Sequence, residues 1–564
     1  MSDELIFSPG LWLIFSGILF LSLKQKWRLM LIIMGPTLAL LSVWVMPESM
    51  SWSFNVFGLD LQPIRNIGLG RLFATVFCLM ALMGGIFAYK VANNQELSSA
   101  YIYAGSAICI TFAGDLITLF VFWELMAIAS TVVIWSAGTS KARAAAFRYI
   151  LIHFFGGMLL LTGIAGHFMS TDSLLIVRMQ TDNLSQWLIL AGILVNAGAP
   201  PISAWIADAY PEASPSGAVF LSAFTTKTAV FVLIVAFPGA TILIPVGLFM
   251  IFYGIIYALL ENDMRRILAY SIVNQVGFMV TAIGIGSEMA LNGAAAHAFA
   301  HIIYKGLLLM SAGAVLYKTG KRKCTDLGGL FRTMPITALL GTVGAFAISA
   351  FPMTSGFTTK SMIPQAAADQ GLMVVWFALI AASAGVFLHA GIKFPWFVFF
   401  QKDSGLRPSE PPKNMLFAMW ILAFICIAIG AYPEPFYNLL SYDVEYKAYT
   451  LAHLSSQFQL LLFSGLAFFV LLPLMKRTLT ISLDFDWFYR KLFKDIFFHL
   501  EGKEKIYETK IIKFLLKKWK IIVADLFFHH GPHGFLAKSW PIGSMAFWVA
   551  MVLVSSLLLF FLAS

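Results

Sequence analysis

A few ionisable side chains lie inside long apolar stretches of this chain, and their types and spacing point to proton handling. Holding a charge in hydrocarbon costs a few kcal/mol or more, so each such residue needs a partner or a purpose. Glu124, in Phe-Trp-Glu-Leu-Met, has no compensating charge close by in sequence. Away from water a carboxyl favours its neutral form and an approaching ammonium favours the charged one, so Glu124 reads as a switchable proton holder. The plainer reading is a carboxyl that stays protonated or bonds to a neighbouring helix. Lys227 is the matching cation, too deep in its run for easy snorkelling. His297, His301 and Lys305 recur every four residues and share one helix face, with Tyr304 beside them, as a relay would. A metal site fits this triplet poorly, because no carboxylate accompanies the histidines and the lysine repels a cation. Lys360 is placed to end a chain of proton carriers near one surface. His389 and Lys393, four apart, suit the same task, although Pro395 and Trp396 make an interfacial anchor an equal reading of Lys393. His153, His167 and Asp115 are weaker candidates, and Asp115, beside a short turn, fits a helix cap.

These residues stand against a background of scarce charge. Of 564 residues, 59% are hydrophobic and 12% charged, with mean hydropathy +0.82. Soluble domains carry about 25% charged residues, so lipid is the main solvent and water-soluble enzyme classes are excluded. The net charge of +10 reflects basic cytoplasmic loops, and no nucleic-acid partner is expected. Cys78, Cys109, Cys324 and Cys426 lack the spacing of a disulfide framework, a zinc site or an iron–sulfur site.

About 16 apolar runs are long enough to cross roughly 30 Å of hydrocarbon. They fall near residues 7–23, 28–46, 67–89, 98–113, 115–137, 145–169, 186–207, 216–237, 241–260, 267–286, 290–317, 334–361, 371–398, 415–432, 457–475 and 543–563. The first, flanked by Asp3 and Glu4 and then by Lys24, Lys26 and Arg28, is expected to be a retained helix and not a cleaved signal. Lys and Arg alternate with acidic loops along the chain. Lys141/Arg143, Arg265/Arg266, Lys318 to Lys323 and Lys402/Arg407/Lys413 mark the cytoplasmic side, while Asp172/Asp182, Glu288 and Glu434/Asp443/Glu445 mark the other. Both termini are then expected to face away from the cytoplasm. Between Asp484 and Lys538, lysines alternate with Phe, Leu, Ile and Trp at helical spacing. This pattern predicts an amphipathic segment on the cytoplasmic face, in contact with membrane lipid or neighbouring subunits.

Two runs carry proline and glycine mid-membrane: Asn196-Ala-Gly-Ala-Pro-Pro201 in the seventh and Phe351-Pro-Met-Thr-Ser-Gly-Phe357 in the twelfth. A pair of interrupted helices five spans apart suits two five-helix repeats of opposite orientation with a path at the midplane. No GxGxxG, Walker A, G-x-S-x-G elbow or extramembrane domain is present to hold a nucleotide, flavin or other cofactor, so any redox or ATP chemistry belongs to other subunits.

Several ordered stretches carry a family resemblance over roughly residues 65–400: Phe122 to Met126, Trp205 to Tyr210 with Pro215, Leu221 to Val230, Asp263 to Ser271, His297 to Leu309 and Thr354 to Lys360. The chain resembles the antiporter-like membrane subunits shared by respiratory complex I, membrane-bound hydrogenases and Mrp-type multisubunit cation/proton antiporters, and is most similar to the D-type subunits of the Mrp group. The resemblance implies an all-α polytopic membrane fold of about 14 core helices, with two inverted five-helix repeats whose broken helices line proton half-channels. A lateral amphipathic segment and a final span would follow. It implies that Glu124 is the glutamate of the fifth helix, Lys227 the lysine of the eighth, His301 and Lys305 part of a central hydrophilic axis, and Lys360 the charged residue of the broken twelfth. The family's lysine nine residues before the Trp of Trp-x-x-Asp, partner of that glutamate, is here Asn196. Either Lys227 or His153 takes the partner role, or this half-channel works differently or not at all.

The expected organisation is residues 1–97 as N-terminal helices, 98–237 and 238–400 as the repeats, 401–475 as C-terminal helices, 476–541 as the lateral segment and 542–564 as the last span. The expected function is proton translocation, exchanged for Na+ or another monovalent cation, by one member of a multisubunit complex in the cell inner membrane. This chain itself would hold no catalytic site, metal or cofactor. A proton-pumping subunit of a complex I-like or hydrogenase complex is the first alternative, and a scaffold subunit of an inorganic-carbon uptake complex, favoured by Asn196, is the second.

Overall fold

Apolar residues that occupy whole turns without polar interruption can satisfy their backbone in lipid only as helices, and helices dominate the fold. The computed structural model describes residues 7–22, 24–473 and 484–492, with scattered positions between 518 and 555. In chain order, α1 (Gly10–Ser22) and α2 (Arg28–Val45) lead into a hairpin of β1 (Ser51–Val56) and β2 (Leu59–Arg65). Then come α3 (Gly68–Ala88), α4 (Asn94–Phe112), α5 (Leu116–Trp135) and α6 (Ser140–Thr171). A broken passage comprises α7 (Leu184–Ala197) and α8 (Trp205–Ala209), and the next is split into α9 (Gly217–Ala223) and α10 (Thr225–Ala236). After α11 (Leu243–Leu260), α12 (Met264–Ile285) and α13 (Glu288–Thr319), a second broken passage comprises α14 (Pro335–Ile348), α15 (Ser355–Lys360) and α16 (Met362–Asp369). The described residues close with α17 (Met373–Val386), α18 (Lys413–Ala431), α19 (Glu434–Tyr437) and α20 (Leu451–Leu471). Eleven helical stretches among them are long and apolar enough to cross a membrane, and the chain is a multi-pass membrane protein.

The structure departs from the sequence reading in three places. The hairpin is an addition to the helical plan: Phe57 and Gly58, at φ 52° and 80°, form the two-residue turn that joins antiparallel strands of right-handed twist. The eighth run is broken at Phe224, where the Tyr103 hydroxyl accepts from the Thr225 N–H (2.9 Å) and reaches the Leu221 carbonyl (3.4 Å). A hydroxyl thus stands where the helical bond between Leu221 and Thr225 would be. The thirteenth run changes after Val386 into π-helical turns, Phe387–Lys393 and Trp396–Phe400. The two expected breaks are present. In the first, Gly198 (φ 79°) ends α7. In the second, Ala350 and Met353 adopt left-handed backbone (φ 55° and 67°), which costs about 1 kcal/mol or more per residue without glycine.

A local pattern recurs at a spacing of 148 residues. Asp115 caps α5 and bridges to Leu175, and Asp263 caps α12 and bridges to Lys323 (115 to 263, 175 to 323). The flanking bonds, Leu116 N–H to Leu174 O and Ile176 N–H to Gly114 O, return as Met264 to Arg322 and Cys324 to Asn262. The 32-residue helices α6 and α13 keep the same spacing, as do their capping residues Thr139 and Ser287. At the N-terminal end of α12, Arg265 donates to the carbonyls of Pro211, Ala213 and Ser214 (2.8–2.9 Å) and so fixes the link from α8 to α9. At the end of the core, Asp484 accepts from the hydroxyls of Tyr253 (2.7 Å) and Tyr270. Most of the expected lateral segment and last span lies outside the described residues.

The Asp115 carboxylate accepts from the backbone of Thr118 (2.7 Å) and Gln62 (2.8 Å) and from the Thr118 hydroxyl (2.6 Å), so it joins the cap of α5 to the hairpin. Asp115→Ala is expected to cost about 1–2 kcal/mol, read as a lower unfolding temperature of the chain in detergent.

Candidate functional site

The sequence-predicted residues gather mainly into one buried axis. Lys227, His297, His301 and Lys305 have no exposed surface and Lys360 is 2% exposed, so none snorkels to the membrane surface. Lys227 sits three residues past the Phe224 break, and its ammonium donates to the Ser222 carbonyl (2.7 Å), left free there, and to Thr226 Oγ1 (3.1 Å). Lys305, on α13, reaches Ser271 Oγ (2.8 Å) and the Leu268 carbonyl (3.5 Å) of α12. Between them His301 stands edge-on to Tyr304, and neither of its ring nitrogens has a partner among the described residues. It lies within electrostatic reach of both Lys227 and Lys305, which also feel each other.

One turn away, His297 Nε2 meets Gln275 Oε1 (2.9 Å), which also accepts from the Tyr304 hydroxyl (3.1 Å). Gln275 donates to Asn274 Oδ1 (2.5 Å), and Asn274 to the Ile251 carbonyl (3.0 Å). Lys360, on α15, faces the Phe278 ring (5.4 Å) and the Ile348 carbonyl (3.4 Å) at the end of α14. His297 is within its field, and so is His389, which also feels Lys305. His389 Nδ1 bonds the Gly385 carbonyl (2.8 Å) and leaves Nε2 unpartnered, so His389 joins the axis from the π-helical turn.

Lys393 does a different job. Its ammonium donates to the carbonyls of Ala258 (3.1 Å), Leu259 (2.5 Å) and Glu261 (2.6 Å), the last turn of α11, and is a cation capping a helix C-terminus. These contacts tie Lys393 to the end of α11, which differs from both the interfacial anchor and the relay expected of it.

Glu124 stands apart from the axis. Its carboxylate packs against α6 where Gly157 offers no side chain, and a Cβ there would collide with Oε1. No ionised group among the described residues pairs with it, and Oε1 has no hydrogen-bond donor. Lys227, expected as its partner, is turned instead toward Ser222 and the field of Lys305. His153, one turn from Gly157, bonds its own helix at the Tyr149 carbonyl (2.9 Å), stacks on Tyr149 and meets the edge of Trp205. Asn196 is fully buried with both amide atoms unpartnered. At the 148-residue spacing His153 corresponds to His301 and Gly157 to Lys305, so the second half carries a lysine where the first carries the glycine that accommodates the Glu124 carboxyl.

Sequence reasoning missed Ser271, Asn274, Gln275 and Tyr103, the neutral groups that hold the charged ones. Their only signal was polar character inside apolar helices. Chemically, the axis offers alternating ammonium and imidazole groups in one low-dielectric region. A proton added to one makes a proton on its neighbour costlier, so occupancy is coupled along the line. Among the described residues no His, Cys, Asp or Glu cluster could hold a metal ion.

The chain is similar to several known proteins. Residues 113–386 match the NADH:quinone oxidoreductase/Mrp antiporter transmembrane family. The D-type Na+/H+ antiporter subunit of Alkalihalophilus pseudofirmus is 28% identical over 406 residues, covering 67% of this chain and 82% of that protein. An uncharacterized protein of Methanocaldococcus jannaschii is 29% identical over 374 residues, 62% of this chain and 77% of its own length. The longer A-type Na+/H+ antiporter subunit of the same Alkalihalophilus is 28% identical over 430 residues, and the match spans about half of it (53%). Among solved structures, a chain of the Mrp complex of Dietzia sp. superposes with TM-score 0.68 at 19% identity, covering 82% of this chain and 98% of that one. A chain of the membrane-bound sulfane sulfur reductase, an archaeal respiratory membrane complex, does so with TM-score 0.71 at 22% identity, covering 98% and 99%. Through the helices that carry the axis, this chain is similar to the NADH:quinone oxidoreductase/Mrp antiporter family of membrane subunits.

Proposed function

We propose that this chain is the proton-translocating member of a multisubunit monovalent cation/proton antiporter in the cell membrane. The observation that carries the reading is the axis of Lys227, His301, Lys305, His297, His389 and Lys360, fully buried or nearly so, without a counter-acid among them. Fixed ion pairs would trap protons, whereas coupled cations held by neutral oxygens can exchange them. The 148-residue spacing supports two repeats, and charge supports their opposite orientation. Asp115 lies on the side of the acidic loops, and Asp263 beside Arg322 and Lys323 on the basic side. In this scheme Glu124 is a separate proton holder of the first repeat that works without a lysine at position 196.

A second reading, a proton pump powered by redox partners, is favoured by the near full-length likeness to a chain of a respiratory complex. The two differ in what drives flux. An antiporter moves protons when a gradient of Na+ or a similar cation is imposed, and a redox pump only when an electron donor is supplied.

In vesicles bearing the assembled complex, Lys305→Met and Glu124→Gln are each expected to lower cation-driven proton flux by about a hundredfold or more, with the amount of complex unchanged. Near-normal flux in both would overturn the reading. Lys393→Met is expected to behave oppositely. Flux per assembled complex persists, while loss of the α11 cap lowers stability by about 1–2 kcal/mol, seen as a lower melting temperature in detergent.

A further inference from the structure

A cavity of about 950 Å3 opens at the outer end of the second broken passage, among Lys360, Ser361, Gln365, Asp369, Tyr446 and His453. It is polar enough and roomy enough to hold on the order of thirty waters. Its rim, with Glu445 and Lys447, belongs to the acidic-loop side of the chain. Within it, His453 on α20 is held by three contacts. Its ring stacks on Phe357 at 4.4 Å and 9°. Its Nδ1 lies 2.7 Å from the Ala448 carbonyl and 3.4 Å from the Tyr446 hydroxyl. A carbonyl can only accept, so Nδ1 carries the hydrogen in that bond and Nε2 is the nitrogen left to exchange protons. Phe357 precedes Lys360 by three residues on α15, so the stack ties the imidazole to the helix that carries Lys360, and both side chains line the cavity. The ionisable groups around the cavity are Lys360 from α15, Asp369 from α16, and Glu445, Tyr446, Lys447 and Tyr449 from the connection before α20. Helices α13 and α17 bring Met289, Trp376 and Ser383, none of which titrates.

We propose that His453 is the terminal proton carrier between Lys360 and the outer surface. The proton leaves Lys360 Nζ, passes through cavity water and forms a bond to His453 Nε2. The same proton is then released from the imidazolium to bulk water, which leaves the Nδ1–H···Ala448 bond in place. In the reverse direction His453 takes the proton from outside and hands it to neutral Lys360. This rests on the reading of Lys360 as a member of the path, and it adds a carrier from outside the expected repeats.

The test uses right-side-out vesicles with the assembled complex. His453→Ala is expected to slow proton flux about tenfold or more. Imidazole added outside is expected to restore much of it, and pyrazole, of the same size but far less basic, to restore none. His453→Gln, which fills the site without carrying a proton, is expected to be as slow as His453→Ala. Unchanged flux in His453→Gln, or equal rescue by pyrazole, would show a packing role and overturn the proposal. Lys360→Met, measured alongside, separates the two claims. If it keeps full flux, the underlying path is wrong; if it abolishes flux while His453→Gln does not, only the role of His453 falls.

Discussion

The fold depends on how backbone carbonyls released inside hydrocarbon are matched by buried cations. Each broken or ended helix leaves acceptors with no partner in their own helix, and each buried lysine or arginine brings donors that need acceptors nearby. The structure solves both problems with one contact. Lys227 takes the Ser222 carbonyl freed at the Phe224 break, Lys360 the carbonyl that ends α14, Lys393 the last turn of α11, and Arg265 the turn between α8 and α9. The interruptions in these helices therefore position the charges.

Contacts of this kind differ in how firmly they hold. Lys393 has three carbonyls at 2.5–3.1 Å and is committed to them. Lys360 has one at 3.4 Å and an aromatic face, and Lys305 a hydroxyl with a distant carbonyl. Loosely held ammonium groups give up fewer charge-assisted contacts when they lose a proton, and a hydroxyl, unlike a carbonyl, can then turn and donate to the neutral amine. The grading from structural cation to exchangeable cation follows from the number of carbonyls each meets.

Much of this was legible in the sequence, for physical reasons. A charge in an apolar run announces itself, and Pro200, Pro201, Pro352 and the glycines beside them mark the two expected breaks. What stayed hidden depends on partners far away in the chain. The break at Phe224 is made by a hydroxyl 122 residues away, and nothing in the residues around Phe224 forecasts it. The same distance problem concealed the job of Lys393, whose carbonyls lie more than 130 residues upstream. The missing partner of Glu124 was foreseen at Asn196, but the choice between Lys227 and His153 needed the direction of both side chains. His453 had no signal at all, since a single histidine near the start of a span is ordinary. The 148-residue pattern was readable in principle from Asp115 and Asp263 and from His153 and His301, but only once the bridges showed which residues to align.

That pattern bears on how the two halves came to differ. At corresponding positions one half has Gly157 and the other Lys305, and the glycine is what makes room for the carboxyl of Glu124. A side chain gained at position 157 would evict the acid, and an acid lost at 124 would leave an apolar void against α6. The residue at 157 is thus constrained by the side chain at 124, a constraint absent at the corresponding position of the second half, where Lys305 stands.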